Sequence, residues 1–427
     1  MTLMVSSPEQ ALSLISNGDR IWMHSMAATP TVFLTPLAER AKQVSGLRVL
    51  QLHLESAEAL ADPSIFKHLR NHCFFVGKSM RELINHGHAD YVPIFLSEIP
   101  KLLRSGQQPV DVALIQVSPP DKHGNCSLGV SVEATRAACD VAGKIIAHIN
   151  PNMPRTLGDS FIPLDRIDVA YHQSQLLPEK NIATLSPVHQ KIGQHIAGLI
   201  EDGDCLQMGI GAIPDAALGY MNNHQHLGIH TEMFSDGVLP LIESGVIDNS
   251  RKKIHAGKIV TGFVLGSQRL YDFVDDNPEV AFLDIAYVNN PNVIRKNKQV
   301  VSINSAIQID MTGQVCADSI GSNIYSGVGG QVDFVMGAQW SERGRSIIAM
   351  PSTAAKGSVS RIVTALSGGA GVVTTRAHVD HIVTEYGVAS LHGRSLKERA
   401  KALIDIAHPD FQEQLAQQAS ESLCLSI

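Results

Sequence analysis

Short runs of apolar residues alternate along the chain with longer segments in which apolar residues recur every three or four positions. The runs are rich in β-branched residues, which is typical of buried strands. The predicted strands are residues 112–117, 144–149, 346–350, 371–375 and 381–384. Helical spacing of Ile, Leu and Ala is found in residues 190–201 and 395–406. Since strands that are apolar on both faces belong to parallel sheets covered by helices, the pattern predicts an α/β fold with mainly parallel sheets.

Two pairs of segments repeat in the same order in the two halves of the chain. Residues 14–27, LISNGDRIWMHSMA, are echoed by residues 199–212, LIEDGDCLQMGIGA. Further along, His53-Leu54-Glu55 is echoed by His230-Thr231-Glu232. Two echoes in one order indicate an old duplication, in which each half forms a domain of similar topology.

The length of the chain agrees with this organisation. At roughly 100–200 residues per domain, 427 residues suffice for two or three domains. We predict two tandem, topologically similar α/β domains, one over residues 1–185 and one over residues 186–427. The segment Ser186–His189 is the expected linker.

Charge and cysteine content argue against several classes of protein. The net charge is −7 and no cluster of basic residues is present, so neither nucleic acid nor an acidic membrane surface is an expected partner. The six cysteines form no C-x-x-C pair and no metal-ligand cluster, which indicates reduced, mostly buried thiols in a cytoplasmic protein. The start of the chain does not have the pattern of a signal peptide, and no apolar stretch approaches the roughly 18 residues of a membrane span.

The first candidate ligand-binding segment is the glycine turn Gln207–Gly211, between a predicted strand and a predicted helix. Glycines let backbone amides approach a ligand closely, and an anion is favoured beside such amides. A tight turn without a ligand explains the same glycines. A dinucleotide site is another alternative, since Glu232 follows Gly211 by about 20 residues, the spacing of a ribose-binding carboxylate. Pro214 occupies the place of that motif's third glycine and argues against this alternative.

Three further segments are candidates for ligand contact. Glu232 precedes an Asp-Gly turn, and a solvated carboxylate at a strand end is the alternative to a functional one. Residues 327–330 contain three glycines, which predicts positive φ angles or close backbone approach, with a flexible surface turn as the alternative. Residues 350–357 include Lys356, which suits a phosphate or pantetheine chain, although most such lysines simply face solvent. Because ligands of parallel α/β proteins bind at the carboxyl ends of strands, we expect Glu232 beside the glycine turn.

Together these segments resemble the acetyl-CoA hydrolase/transferase family, and within it the group of 4-hydroxybutyrate and butyryl-CoA:acetate CoA-transferases. The resemblance covers nearly the whole chain. In the first half it rests on residues 28–31, 89–100, 116–129 and 150–156. In the second half it rests on residues 207–211, 230–237, 326–331, 350–354, 384–387 and 406–411. The fold it implies is the one predicted above, with the catalytic glutamate in the C-terminal domain.

The resemblance also implies roles for individual residues. The family's nucleophile is Glu232 in this chain, and Asn289 matches the amide that orients it. Gly330 is expected to donate to an oxyanion as well as to contact CoA. The residues expected to contact CoA are Gln207, Met208, Gly209, Ile210, Gly211, Ile307, Gly329, Gly330, Lys356 and Gly357.

The implied activity is transfer of CoA between an acyl-CoA and a carboxylic acid, of the 4-hydroxybutyrate or butyrate type with acetate as the partner acid. The expected route is ping-pong, through a glutamyl-CoA thioester on Glu232. The CoA thioester is a substrate, no metal or bound cofactor is required, and a homodimer is expected. Acyl-CoA hydrolysis and non-catalytic acyl-CoA binding are the alternatives. His24–Ala27 departs from the His-Gly-Gly-Ala expected of relatives, which leaves the acyl group open.

Overall fold

The computed structural model of the chain describes residues 2–180 and 184–424. These residues form two compact units, each with its own core. The first unit contains residues 2–180 and 260–288, and the second contains residues 184–259 and 289–424. Residues 260–288 therefore group with the N-terminal part of the chain, while the domain division at residue 185 stays a prediction.

Two of the helices begin at a capping box. Ser186 and Ser395 each accept a hydrogen bond from the backbone N–H three residues later, and the side chain of that residue bonds back to the cap. In chain order the α-helices are α1 (Pro8–Leu12), α2 (Leu34–Ala41), α3 (Lys78–Asn85), α4 (Ile99–Arg104), α5 (Thr135–Val141), α6 (Pro187–Ala197), α7 (Ala212–Leu218), α8 (Leu239–Glu243), α9 (Gln268–Val274), α10 (Ile285–Val288), α11 (Pro291–Ile294), α12 (Gln331–Trp340), α13 (Leu396–Asp405) and α14 (Pro409–Leu423). The helices predicted from apolar spacing are confirmed as α6 and α13. The linker predicted at Ser186–His189 is wrong, because Ser186 caps α6 and Pro187 begins it.

The first unit is built on an eight-stranded sheet. Its strands are β1 (Leu3–Val5), β2 (Arg20–Met23), β3 (Leu47–Gln51), β4 (Leu69–Cys73), β5 (Asp90–Tyr91), β6 (Val112–Val117), β7 (Lys144–Ile149) and β8 (Val169–His172). Their spatial order is β1-β8-β7-β6-β2-β3-β4-β5, and all neighbouring pairs are parallel. The strands predicted at 112–117 and 144–149 are confirmed as β6 and β7, and β6 is buried along its whole length.

The second unit is built on a six-stranded sheet. Its strands are β9 (Cys205–Met208), β10 (Gly228–Ile229), β11 (Val300–Ser305), β12 (Arg345–Ala349), β13 (His381–Thr384) and β14 (Gly387–Ser390). The order is β10-β9-β11-β12-β13-β14, parallel except for the β13–β14 pair. The strands predicted at 346–350 and 381–384 are confirmed as β12 and β13. The strand predicted at 371–375 is wrong: Thr374 makes only an isolated bridge to Val315, and Val372 is 44% exposed, so this apolar run has no continuous buried face.

Short strands and 3₁₀ turns lie between the main helices and strands of each unit. The other strands are Asn125–Ser127, Leu157–Gly158, Phe161–Pro163, Met233–Phe234, Ile259–Thr261, Phe263–Val264, Val280–Phe282, Gln308–Asp310, Val315–Cys316, Ser319–Ile320, Asn323–Ile324, Thr353–Ala354, Val359–Ser360 and Ile362–Val363. The 3₁₀ turns are Thr31–Phe33, Ala57–Ala61, Pro63–Ile65, Leu96–Glu98, Leu164–Arg166, Asp236–Val238 and Ala355–Gly357. Thr353–Ala354 and Val359–Ser360 pair as an antiparallel hairpin in the second unit.

The two sheets repeat one strand order. The series β3-β2-β6-β7-β8 of the first unit corresponds to β10-β9-β11-β12-β13 of the second. The repeated segments 14–27 and 199–212 contain β2 and β9, while Glu55 and Glu232 follow β3 and β10. The prediction of two topologically similar α/β domains with mainly parallel sheets is confirmed, and the two glutamates lie after equivalent strands.

Cysteines and possible metal ligands complete the description of the fold. The prediction of mostly buried thiols is confirmed, since five of the six cysteines are buried and Cys424 is exposed. Across residues 2–180 and 184–424, no three His, Cys, Asp or Glu side chains are grouped closely enough to hold a metal ion. The helices of this part of the chain are all too short or too polar to cross a membrane.

Close packing of α6 on α7 provides a test of the fold. A Cβ atom on Gly193 of α6 would lie 2.6 Å from the carbonyl carbon of Ala216 in α7. We expect Gly193→Ala to displace α7 and lower the melting temperature, since overpacking of this kind costs about 1–3 kcal/mol. Gly198→Ala is the matched control, because its Cβ would keep 3.5 Å from the nearest atom. Thermal unfolding of both variants measures the difference, and equal melting temperatures would contradict the packing described.

Candidate active site

Hydrogen bonds on both sides fix the segment that carries Glu232, just beyond β10. On the side of β9, the Thr231 hydroxyl donates to the Met208 carbonyl oxygen at 3.0 Å and accepts from the Met208 N–H at 3.3 Å. On the other side, the Ile229 N–H donates to Asn249 Oδ1 at 2.9 Å. The glycine turn and the glutamate are therefore adjacent, as predicted from the parallel strand order.

Two neutral donors hold the Glu232 carboxylate. Asn289 Nδ2 donates to Glu232 Oε2 at 2.9 Å, and the Gly330 backbone N–H donates to the same carboxylate. Asn289 is fully buried, and the next residue, Asn290, caps α11. Gly330 is the N-cap of α12, so the carboxylate lies at the start of a ten-residue helix, where negative charge is stabilised.

Gly330 has to be a glycine for a steric reason. A Cβ atom there would lie 2.1 Å from Glu232 Oε2 and 2.2 Å from Asn289 Nδ2. The preceding residue, Gly329, has a φ of +58°, which favours glycine. The glycine-rich segment thus meets both expectations drawn from the sequence, positive φ at one position and close backbone approach at the other.

The environment of Glu232 leaves its carboxyl group weakly acidic. Burial raises the pKa of Glu232 to about 7, although the hydrogen bonds from Asn289 and Gly330 pull the pKa down. Its counterpart Glu55 differs: a hydrogen bond with His53 Nε2 at 3.1 Å lowers the pKa of Glu55. Near neutral pH, Glu232 can therefore exist as a carboxylate that is more basic than usual, which is a property of catalytic groups.

The glycine turn lines a cavity in the second unit. The cavity has a volume of about 580 Å³, within the range of small-molecule sites, and Ile210, Gly211 and Ile307 of the predicted CoA contacts line it. Gly211 has a φ of +122°, a backbone conformation that favours glycine. The remaining walls come from His189 of α6, from the start of α7, from residues at and after the ends of β11 and β12, and from the hairpin of residues 353–360 with Arg361 beyond it.

Other predicted site residues lie outside this cavity wall. The Gln207 side chain exchanges hydrogen bonds with Asn304 across the ends of β9 and β11, at 3.1 Å for the shorter of the two. Met208 is buried, while Gly209 has open space around the position of a Cβ. Lys356 and Gly357 occupy an exposed turn and have φ angles of +58° and +92°. The roles of these five residues in binding CoA stay predictions.

Two features of the site escaped the sequence reasoning. Thr231 was seen only as part of the echo, yet its hydroxyl joins the glutamate segment to β9. Arg361 lines the cavity, with the buried residues Ser360 and Ile362 on either side. Residues 359–363 show no regular alternation of apolar and polar positions, so no local sequence pattern marks Arg361.

Neutral donors fix this carboxylate at a helix start, in a unit that also contains a ligand-sized cavity, and a carboxylate so placed can act as a nucleophile. The family models described as acetyl-CoA hydrolase/transferase N-terminal domain and C-terminal domain match residues 2–183 and 266–419. The chain belongs to the acetyl-CoA hydrolase/transferase family.

Comparison with individual proteins shows which members of this family the chain is similar to. It is 49% identical to the 4-hydroxybutyrate coenzyme A transferase of Clostridium kluyveri, covering 95% of each chain. It is 47% identical to the succinyl-CoA:acetate/propanoyl-CoA:succinate CoA transferase of Fasciola hepatica, covering 98% of this chain and 88% of that one. RipA from Yersinia pestis has the same fold, with a TM-score of 0.94 at 36% identity, covering 99% and 98% of the two chains. The expected family, fold and enzyme class, a CoA-transferase, are confirmed.

The raised pKa of Glu232 predicts how stability depends on pH. Because the pKa rises from an ordinary 4.5 to about 7, the folded protein binds this proton more tightly than the unfolded chain does. This difference stabilises the folded protein fully at a pH below the Glu232 pKa of the unfolded chain. The stabilisation is lost as the pH rises through the Glu232 pKa of the folded protein. Glu232→Gln keeps the shape without the charge, so its melting temperature should exceed that of the wild type by a margin that grows between pH about 5 and about 8.

Thermal unfolding across this pH range checks the prediction. Glu413→Gln, at an exposed position of α14, is the matched control and should show no growing margin. A Glu232→Gln margin that stayed constant or shrank with rising pH would mean that burial does not disfavour the Glu232 carboxylate.

Proposed function

We propose that the protein transfers CoA from an acyl-CoA to a carboxylic acid in two half-reactions at Glu232. The observation that carries this proposal is the Glu232 carboxylate held by Asn289 and the Gly330 N–H at the start of α12. Sequence identities of 49% and 47% to two proteins that are named for CoA transfer support this proposal.

The first half-reaction transfers CoA to the enzyme. A Glu232 carboxylate oxygen attacks the thioester carbonyl carbon, the C–S bond breaks, and CoA leaves as a thiolate from a mixed anhydride. The thiolate then attacks the glutamyl carbonyl carbon, which releases the original acid as a carboxylate and leaves a glutamyl-CoA thioester. A second carboxylic acid reverses these steps and leaves as the new acyl-CoA. Each thioester is replaced by another, so no energy source or redox partner is needed.

The donors around Glu232 suit this chemistry. When a thiolate or carboxylate attacks the glutamyl carbonyl, one glutamyl oxygen becomes a tetrahedral oxyanion. The Asn289 amide and the Gly330 N–H already point at a glutamyl oxygen and gain strength as its charge grows. Removing one such donor typically lowers kcat by roughly 10²–10³-fold. The raised pKa of Glu232 makes its carboxylate a stronger nucleophile than a solvent-exposed one.

The proposed substrates are acyl-CoA of the 4-hydroxybutyrate or butyrate type, with acetate as the partner acid. The name of the Clostridium kluyveri relative supports the 4-hydroxybutyrate group, and the name of the Fasciola hepatica relative includes acetate as an acid. A cytoplasmic location, predicted from the cysteine pattern, and a homodimer, predicted from the resemblance, both stay predictions.

Acetate dependence tests the function directly. We expect the protein to consume butyryl-CoA or 4-hydroxybutyryl-CoA rapidly when acetate is present, with acetyl-CoA formed in equal amount. Glu232→Ala should lower this rate by roughly 10⁴-fold or more, because no other group forms the covalent intermediate. Release of free CoA at the same rate with and without acetate would indicate a hydrolase. Binding of CoA without turnover by the wild type would indicate a non-catalytic protein.

The pH dependence of the reaction tests the role of Asn289. Only ionised Glu232 is a nucleophile, so kcat/KM for the acyl-CoA should rise with pH to a plateau, with its midpoint near the Glu232 pKa of about 7. Asn289→Ala removes a hydrogen bond that lowers this pKa, so the midpoint should move to higher pH and the plateau should fall. The exposed neighbour Asn292 provides the control variant, Asn292→Ala, which should leave the profile unchanged. An Asn289→Ala midpoint at or below that of the wild type would exclude this role.

A further inference from the structure

Arg361 contributes the guanidinium group that lines the cavity of the second unit. Its backbone is fixed on both sides: the Arg361 N–H donates to the Ser352 carbonyl oxygen at 2.9 Å, and the Ile309 N–H donates to the Arg361 carbonyl oxygen at 2.9 Å. The side chain therefore starts from a well-ordered point of the cavity wall, between the strands Val359–Ser360 and Ile362–Val363.

The protein leaves the charge of Arg361 largely uncompensated. Nη1 reaches the Ala306 carbonyl oxygen at 3.3 Å, while Nε is buried and has no hydrogen-bond partner among the described residues. Glu385 interacts with Arg361 only at longer range, and its two carboxylate oxygens already accept the Ser352 N–H and hydroxyl at 2.8 and 2.7 Å. Burial accordingly lowers the pKa of Arg361. A half-buried guanidinium without a carboxylate partner is unusual in a folded protein.

The cavity around this cation suits an anion with a long body. Of the described residues that form its wall, none is an aspartate or a glutamate. His189 and the 42% exposed Tyr325 add an imidazole and a phenol ring to this wall. A volume of about 580 Å³ is far larger than a four-carbon acid needs, and it lies in the range of sites for larger ligands.

We propose that Arg361 binds a phosphate group of CoA and so anchors the nucleotide end of the substrate in this cavity. The inference rests on the proposed function, which requires CoA. Glu232 is not among the residues that line this cavity, which suits binding of the distant nucleotide end here, and the phosphates are the anions of that end. The planar guanidinium offers paired donors that match phosphate oxygens. Binding energy from this distant contact lowers the barrier at the thioester.

The test compares Arg361→Gln with the wild type on three acyl donors, with butyrate as the acceptor. The donors are acetyl-CoA, acetyl-dephospho-CoA, which has no 3′-phosphate, and acetylpantetheine, which has no phosphate. For acetyl-CoA, kcat/KM should fall roughly 10- to 100-fold, the effect of losing charge-assisted hydrogen bonds. For acetylpantetheine, kcat/KM should be the same in Arg361→Gln and in the wild type. A loss that persists with acetyl-dephospho-CoA assigns the contact to the pyrophosphate, and a loss that disappears assigns it to the 3′-phosphate.

Two control variants accompany this comparison. Arg361→Lys keeps the positive charge and should recover part of the loss with acetyl-CoA. Arg394→Gln removes an exposed arginine elsewhere in the second unit and should behave as the wild type does. Equal losses with acetyl-CoA and acetylpantetheine, a rise confined to the KM for butyrate, or less than a twofold effect with acetyl-CoA would each overturn the proposal.

Calorimetric titration separates this inference from the proposed function. CoA itself should bind Arg361→Gln more weakly than the wild type, whereas pantetheine should bind both equally, whether or not the protein transfers CoA. A wild type that binds CoA but never transfers it to an acid would refute the proposed function alone. CoA binding that is unchanged in Arg361→Gln would refute the role of Arg361 alone.

Discussion

The central constraint in this protein is the burial of one carboxylate against two neutral donors. Glu232 receives hydrogen bonds from Asn289 and from the Gly330 N–H, and burial still raises its pKa to about 7. A cationic partner would hold the carboxylate charged but would also weaken it as a nucleophile. Its counterpart Glu55 shows the contrast, because the hydrogen bond with His53 lowers the pKa of Glu55. Carboxyl groups at equivalent positions after the two sheets' strands thus have pKa values shifted in opposite directions.

Much of the surrounding structure serves to place these three groups. Thr231 joins the glutamate segment to β9, and Gly330 can approach only because it has no side chain. The same β9 leads into the glycine turn, whose last residues line the cavity. The proposed chemistry at Glu232 and the proposed ligand binding at the cavity therefore depend on neighbouring strands of one parallel sheet, where the ends of strands place short loops side by side.

The sequence predicts what depends on local pattern and on strand order. Residues 112–117 were predictable as a strand because they are apolar throughout, and the echo of Glu55 and Glu232 revealed the shared topology. The role of Asn289 came only from the family resemblance, since this residue is 57 positions from Glu232 and follows a very short helix. Residues 371–375 failed as a strand because apolar character does not show whether a partner strand is available. The importance of Arg361 depends on which groups it does not meet, and no local pattern records that.

Mass spectrometry after incubation with acetyl-CoA tests the central claim most directly. We expect a CoA adduct on the peptide that contains Glu232. The adduct should be lost when acetate or butyrate is added, and it should be absent from Glu232→Ala. Because a glutamyl-CoA thioester is the only covalent state that links the two half-reactions, its position identifies the nucleophile. An adduct on the peptide that contains Glu55, or full transferase activity with no adduct on any peptide, would contradict the account.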